Sequence, residues 1–473
     1  MSFVKQSVCI VILLLLFPIR LIAEEPSIFQ PYLKLLEKAL SLQKEQYQEI
    51  WPGYNPNHFP IALYNEKEAY LINHPSPGQA FQRAKDSIAN HLVYHSPQGV
   101  PEFRANTSIE YNGSLTSIFW IHERMPEAEF YYVLFHEVFH SFARGIEGTK
   151  GRSGNALLQA FFPSDDSEYY TLAFVEQQLL KEACLAEDEK TCIEKLQDYY
   201  TVHDRRISLA DRSFAEYECG EQINEGLAEY AGNKGLELMG FEDQAKAYLI
   251  NRLDKKIEAP SEFRLGCYGT GRALATLLDK FYFEWKHDLS PKVNLNDLLR
   301  LKIKPAKDID LDLILAQYEY EQLHKYFSEV LDKQRLRTEN LKKEVLQAGY
   351  IELLRPPDTS FDMNFDPMNI TTISDSMIYH ESFLVLSVKG RFKLSLDGIP
   401  AITQNTPRNM FRIEKVMIPL PERMEVLFNK RQVNDLPEKD RFTELSISAE
   451  GISLLIQNGH ILKEKGHYII FVE

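Results

Sequence analysis

Cysteine, positive charge and long apolar runs are all in short supply in this chain. Five cysteines occur among 473 residues, and none forms a Cys-x-x-Cys pair, which argues against a cysteine-built zinc site. Beyond the N-terminal segment no stretch supplies the ~20 apolar positions that a membrane-crossing helix needs. Lys and Arg number 53 against 68 Asp and Glu, for a net charge of −15. That sign offers no general attraction for nucleic acid or an anionic membrane, so neither is expected as a partner. Low-complexity tracts and internal repeats are missing too. What is left, 44% hydrophobic and 26% charged, is the composition of a folded protein, long enough for two or three domains.

The apolar run from Val8 to Phe17 follows Lys5 and ends at Pro18 and Arg20; small Ala23 precedes Glu24-Glu25-Pro26. This is the layout of a secretory signal over residues 1–23, and the run is short for an anchor. The mature protein is therefore expected to be secreted or periplasmic. Cys9 leaves with the signal. Cys184, Cys192, Cys219 and Cys267 remain, an even number that suits two disulfides in an oxidising compartment.

Residues 24–60 open with a helical segment over 27–50, where Ile28, Tyr32, Leu35, Leu36, Leu40 and Leu42 recur at helical spacing. Short strands are expected at 61–64 and 69–72, around a hairpin-like Asn65-Glu66-Lys67, and again from Leu115 to His122. Pro126 marks the entry to a helix. From Ser167 to about Ala348 the pattern is helical, with breaks at Gly240, Pro260, Pro291 and Pro305. Past Arg355-Pro356-Pro357 it changes to period two, as in 383–388 and 392–396 across Lys389-Gly390. The fold class expected is α+β: a domain over 61–355 with a small sheet and a large helical lobe, then an all-β, sandwich-like domain over 356–473. The proline pair is read as the linker, and the β-domain is expected to be unnecessary for bond cleavage and to serve in positioning or substrate attachment.

Chemistry enters at Phe135-His136-Glu137-Val138-Phe139-His140. Residues four apart share one face of a helix, so His136 and His140 can present ring nitrogens to one zinc ion. Glu137, one residue on, reaches the same region and can take a proton from water there. Phe135, Val138, Phe139 and Phe142 form the opposite, burying stripe. Downstream, Asn224-Glu225-Gly226-Leu227-Ala228-Glu229 places two carboxylates one turn apart. One of them can complete a His₂Glu metal set; the other can accept a hydrogen bond from the far nitrogen of a ligand histidine.

His-Glu-x-x-His followed by Asn-Glu-x-x-Ala-Glu resembles the gluzincin metallopeptidases, the thermolysin-like group. The resemblance implies Zn²⁺ held by His136, His140 and Glu225, with Glu229 orienting a histidine and Glu137 as general base. It covers only the two motif helices. The gap between His140 and Glu225 is much longer than in the thermolysin-like prototype, and inserted helices would fill it. Gluzincins commonly use a Tyr or His to bind the oxyanion, and Tyr268, in Gly266-Cys267-Tyr268-Gly269-Thr270-Gly271, is the first candidate for that donor; His122 and His203 are weaker ones. Gly269-x-Gly271 is no phosphate loop, because no strand precedes it and no Lys-Ser/Thr follows. If the helices of Glu225 and Tyr268 both line the site, Cys219 is expected to pair with Cys267, and Cys184 with Cys192. Gly-x-Met-Glu-Asn, an aminopeptidase signature, is absent, which leans towards an endopeptidase.

The function expected is thus an exported zinc-dependent peptidase acting on a peptide or protein. The alternative is a binding or adhesion protein with a structural metal, its function carried by the β-domain. Hydrolysis of a non-peptide amide would use the same residues as the first reading.

Overall fold

The Asn65 side chain accepts hydrogen bonds from the backbone N–H groups of Lys67 and Glu68 at 2.8 and 2.9 Å. It thereby closes the turn between strands β1 (Ile61–Tyr64) and β2 (Ala69–Ile72), which pair antiparallel as expected. The computed structural model describes residues 27–150 and 166–473, except 123, 211, 307–308, 348, 357–358, 367–368, 375 and 407–408. The signal-like residues 1–23 lie outside the described residues. Strands β3 (Gln82–Ile88), β4 (His91–Ser96), β5 (Thr107–Tyr111) and β6 (Ser114–Trp120) extend the hairpin into a six-stranded sheet of order β3-β4-β2-β1-β6-β5. Only β1 and β6 run parallel. Of the added strands, β6 was legible in sequence; polar stretches such as Gln82-Arg83-Ala84-Lys85 hide the period of the others.

The N-terminal helical segment is two helices, α1 (Phe29–Leu40) and α2 (Lys44–Ile50), rather than one. Gln43 and Gln46 exchange side-chain and backbone bonds as a capping box, which starts α2 afresh. After the sheet comes α3 (Glu127–Ala143), then α4 (Ser167–Leu185), α5 (Glu189–Leu209), α6 (Arg212–Leu238), α7 (Glu242–Asp254), α8 (Phe263–Phe281), α9 (Trp285–Asp288), α10 (Leu295–Lys302), α11 (Leu311–Gln317) and α12 (Tyr320–Gln347). One apolar core runs from Phe29 to Leu331 through all these layers.

Glycines set how close the central helices come. A Cβ built on Gly271 of α8 would lie 2.3 Å from the Gln222 carbonyl oxygen of α6, and one on Gly226 of α6 would lie 2.6 Å from the Gly271 Cα. On the other side of α6, a Cβ on Gly235 would lie 2.1 Å from the Phe135 ring of α3. Helix α6 is thus held between α3 and α8 and presents no side chain of its own at either crossing.

The remaining strands are β7 (Tyr350–Leu354), β8 (Asp362–Phe365), β9 (Ile370–Ser374), β10 (Met377–His380), β11 (Phe383–Val388), β12 (Phe392–Asp397), β13 (Ala401–Thr406), β14 (Asn409–Pro419), β15 (Glu425–Phe428), β16 (Arg431–Val433), β17 (Lys439–Ala449), β18 (Ile452–Glu464) and β19 (His467–Val472). They surround a second apolar core. The α+β class expected from sequence holds, but two details differ. First, the strands form one branched 13-stranded sheet. Long β18 pairs with β12 through Ile452–Ile456 and with β19 through Gly459–Glu464; between them Asn458 takes a left-handed φ of 62°. Second, the division falls before residue 355. Strand β7 pairs with β14 and β19 and so belongs to the β-domain, which therefore begins before Pro356 rather than after it. The connection is α12 itself: Leu323, Phe327 and Leu331 are buried in the first core, whereas Val345 packs with Tyr379, Ile402 and Met417 of the β-domain.

Gly271→Ala is expected to lower stability by about 1–3 kcal/mol, the usual cost of forcing atoms into a packed contact. It would be read as a lower denaturant midpoint at unchanged slope; an unchanged midpoint would mean that the helices part freely at this crossing.

Candidate metal centre

Helix α3 starts on extended Pro126, with Glu127 and Glu129 in its first turn, where acids favour the helix dipole. Phe135, Val138 and Phe139 are fully buried, as the stripe predicted. Three serines fasten its midpoint to the sheet. Ser108 Oγ of β5 and Ser117 Oγ of β6 both donate to the Glu137 carbonyl, at 3.1 and 3.2 Å, and each lies 2.8 Å from Ser141 Oγ. The backbone at Glu137 is therefore fixed from below while its side chain faces the other way.

That face carries the predicted constellation. His136 Nε2 and His140 Nε2 are 3.2 Å apart. Glu225 Oε2, arriving from α6, lies 3.7 Å from the first and 3.4 Å from the second. A four-coordinate ion with bonds of about 2.0–2.2 Å has ligand–ligand edges of about 3.3–3.6 Å, so these three atoms describe one face of such a tetrahedron. Glu137 also belongs to the cluster: His136, Glu137 and His140 each offer a ligand atom within 4.8 Å of the others. Its Oε1, however, stands 4.0 Å from His136 Nε2, farther than Glu225 from either ring. The residues fit a metal ion, with Glu225 better placed to ligate and Glu137 beside it.

Burial raises the Glu137 pKa, with the adjacent histidines pulling the other way. Burial would also raise Glu225, but hydrogen bonds from His136 and His140 hold it well below the ordinary carboxylate range. The Glu225 bond and charge likewise outweigh burial at His140 and raise its pKa. These groups are arranged to bind positive charge, whether protons or a cation.

Sequence reasoning missed the residues that hold the carboxylates. Arg264 on α8 donates from Nη2 to Glu225 Oε1 at 2.7 Å, pairs through Nε with Glu221 at 2.8 Å, and donates from Nη1 to Tyr268 Oη at 2.7 Å. It lies one helical turn before Tyr268, a spacing that marks it only once the partner helix is in place. Asn224 Nδ2 adds a 3.1 Å bond to Glu225 Oε1. Tyr268 itself lies alongside His136, ring centroids 6.3 Å apart and nearly parallel. Burial, then the nearby Glu225 charge, pushes its pKa up, so it stays a neutral phenol with a proton to give.

Glu229 is brought to the site but not onto the histidine. Its Oε1 stands 4.0 Å from His136 Nδ1, beyond hydrogen-bond reach. Arg252 takes that oxygen at 2.7 Å, and the Tyr132 hydroxyl donates to the other.

The constellation opens into a cleft of about 1390 Å³ that also includes Arg144, Asn106–Ser108, Tyr268 and, from the β-domain, Asn364, Phe365, Asp366 and Phe383. The β-domain therefore borders the site. The strand bordering the cleft is the edge strand β5, because β6 lies between β1 and β5. His203 is engaged with Glu176 at 3.1 Å and His122 lies near Glu129; neither is among the residues that line the cleft. The expected disulfides are not formed. All four described cysteines are thiols. Cys267 Sγ points back along its own helix to the Phe263 carbonyl, and Cys184 Sγ points to that of Ala273, each at 3.7 Å. No protein-family model, curated protein or solved structure matches the chain.

Arg264→Gln is expected to weaken metal binding about 10–100-fold, as loss of a ligand's supporting partner typically does. Competition against a fluorescent chelator would measure it. Affinity equal to the parent's would show that Asn224 alone suffices to hold Glu225.

Proposed function

We propose that this chain is an exported zinc-dependent peptidase of the gluzincin type. The observation that carries the reading is the triangle of His136 Nε2, His140 Nε2 and Glu225 Oε2, with sides of 3.2, 3.4 and 3.7 Å, beside a buried carboxylate, Glu137, that is not needed to complete it. Two imidazoles and one carboxylate form a ligand set suited to zinc, and three protein ligands leave a position open, the pattern of catalytic rather than structural sites. Zinc bound there would supply Lewis-acid chemistry, polarising the scissile carbonyl and acidifying water. Export rests on the N-terminal run from Val8 to Phe17.

Glu137 takes the proton of the attacking water and returns it to the leaving nitrogen. Its Oε1, 4.0 Å from His136 Nε2, stands beside the ligand triangle rather than in it, so the carboxylate stays free for both steps. Tyr268 donates its hydroxyl proton to the oxygen of the tetrahedral intermediate. Arg264, bonded to the same phenol oxygen, positions it and makes it a stronger donor. Glu229, clamped by Arg252 and Tyr132, supplies negative charge near His136 Nδ1. A structural metal would not require the buried base, which favours the hydrolytic reading over the adhesion alternative.

Glu137→Gln separates binding from chemistry. It leaves His136, His140 and Glu225 in place, so zinc should remain near one ion per chain, while peptide hydrolysis falls by about 10²–10⁴. Metal analysis and kinetics on the same samples decide it; a variant that cleaves as fast as the parent sinks the mechanism. Tyr268→Phe should keep zinc and lose about 10²–10³ in turnover; full turnover would move the oxyanion role elsewhere.

A further inference from the structure

Phe383 has no evident structural reason to be aromatic. It opens β11 on the face opposite Leu384, because successive residues of a strand point to opposite sides. Leu384 is fully buried in the β-domain core. Phe383 is half-buried and, among the described residues, joins neither a hydrophobic cluster nor a ring pair. What it does line is the cleft that holds His136, Glu137, His140 and Glu225. On the adjacent strand Asn364, paired with Val385, shares the Phe383 face and lines the same cleft, whereas Phe365, paired with Leu384, lies on the core face and reaches the cleft only at its rim, packing edge-on against His380 with ring centroids 5.9 Å apart. The position of this wall is set by α12. Arg337 pairs with Glu381, two residues before Phe383, at 3.3 Å, and the apolar contacts of Val345 with Tyr379, Ile402 and Met417 supply most of the hold, since an exposed ion pair contributes little.

We infer that Phe383 forms a subsite for an apolar side chain of the peptide substrate, so that the β-domain helps to choose what the metal centre cuts. The inference rests on the peptidase reading above. A half-buried ring bordering a polar, charged cleft gains by covering its exposed face with an apolar group. A peptide drawn across the metal centre between the β5 side and the β-domain side would bring a side chain there. Asn364 and Asp366, which flank Phe365 at this wall, would remain available to the peptide's polar groups.

The test uses the full-length mature protein and zinc. Two sets of fluorogenic peptides would share one cleaved sequence, with either Phe or Gly scanned through the flanking positions. In one register the parent should prefer Phe to Gly. Phe383→Ala should reduce kcat/KM for that Phe peptide by about 10–200-fold, the span typical of apolar pocket contacts, with little change for its Gly counterpart. Phe383→Leu should recover much of the preference. Zinc content and circular dichroism should match the parent, since Phe383 is outside the core. Peptide affinity measured by anisotropy in the Glu137→Gln background should show the same loss, independently of turnover. If the parent cleaves peptides but Phe383→Ala keeps the Phe preference, or loses activity equally on both sets, the subsite is overturned and the peptidase reading stands. If the zinc-loaded parent neither binds nor cleaves any peptide, the peptidase reading falls and takes the subsite with it.

Discussion

Three helices must approach within side-chain reach of one point for this site to exist, and the glycines of α6 and α8 are what allow it. Packed helices ordinarily stand about 8–10 Å apart, depending on the residues at the contact. A Glu on one helix meets two His on another only towards the short end of that range. Gly235 leaves room for the Phe135 ring, and Gly226 meets Gly271 backbone to backbone. Each glycine inside a helix costs about 0.5–1 kcal/mol relative to alanine. That cost is borne where α6 is squeezed from both sides, close to Glu225 and Glu229.

The same closeness creates an electrostatic problem. Glu137, Glu221, Glu225 and Glu229 are all buried, and buried charge is expensive unless matched. Arg264 answers Glu221 and Glu225, and Arg252 answers Glu229, which leaves acids in excess of arginines around two histidines. A divalent cation between His136, His140 and Glu225 would remove that excess at its centre. The arginines have a further consequence: because Arg264 holds Oε1 of Glu225, the other oxygen, Oε2, is the one turned to the histidines. One guanidinium thus both offsets the charge of Glu225 and sets which of its oxygens faces the histidines.

What could be read from sequence was local. His136 and His140 share a face because of helical spacing alone, and Glu225 and Glu229 do so for the same reason. The Asn65 turn, the helical stretch from 167 and the period-two strands beyond 355 are likewise encoded by neighbours. Sequence failed where distance in space decides. Four cysteines in even number suggested pairing, but spacing says nothing about where a thiol points, and Cys267 points along its own helix. Arg264 carries no mark of its role until α8 is laid against α6. Pro356-Pro357 looked like a linker because prolines often are, yet β7 before it is already paired in the second sheet. Glu229 matches a residue that orients a ligand histidine, but the Arg252 and Tyr132 that engage its oxygens are invisible to a motif.

Helix α12 gives the two cores a single reference. Its first half is buried with α4 in the helical lobe and its last turns are buried in the β-domain, so the wall containing Phe383 and the floor containing His136 are positioned by opposite ends of one helix. A proline-rich tether would let the β-domain sample many orientations, and a cleft bordered by it would have no defined width. A continuous helix removes most of that freedom, because an intact run of backbone hydrogen bonds transmits orientation where a coil does not. The metal centre is fixed by contacts within the helical lobe, whereas the shape of the cleft above it depends on how α12 leaves that lobe. Changes along α12 far from His136, His140 and Glu225 are therefore able to alter the width of the cleft without disturbing that triangle, a division of labour built into the order of the elements.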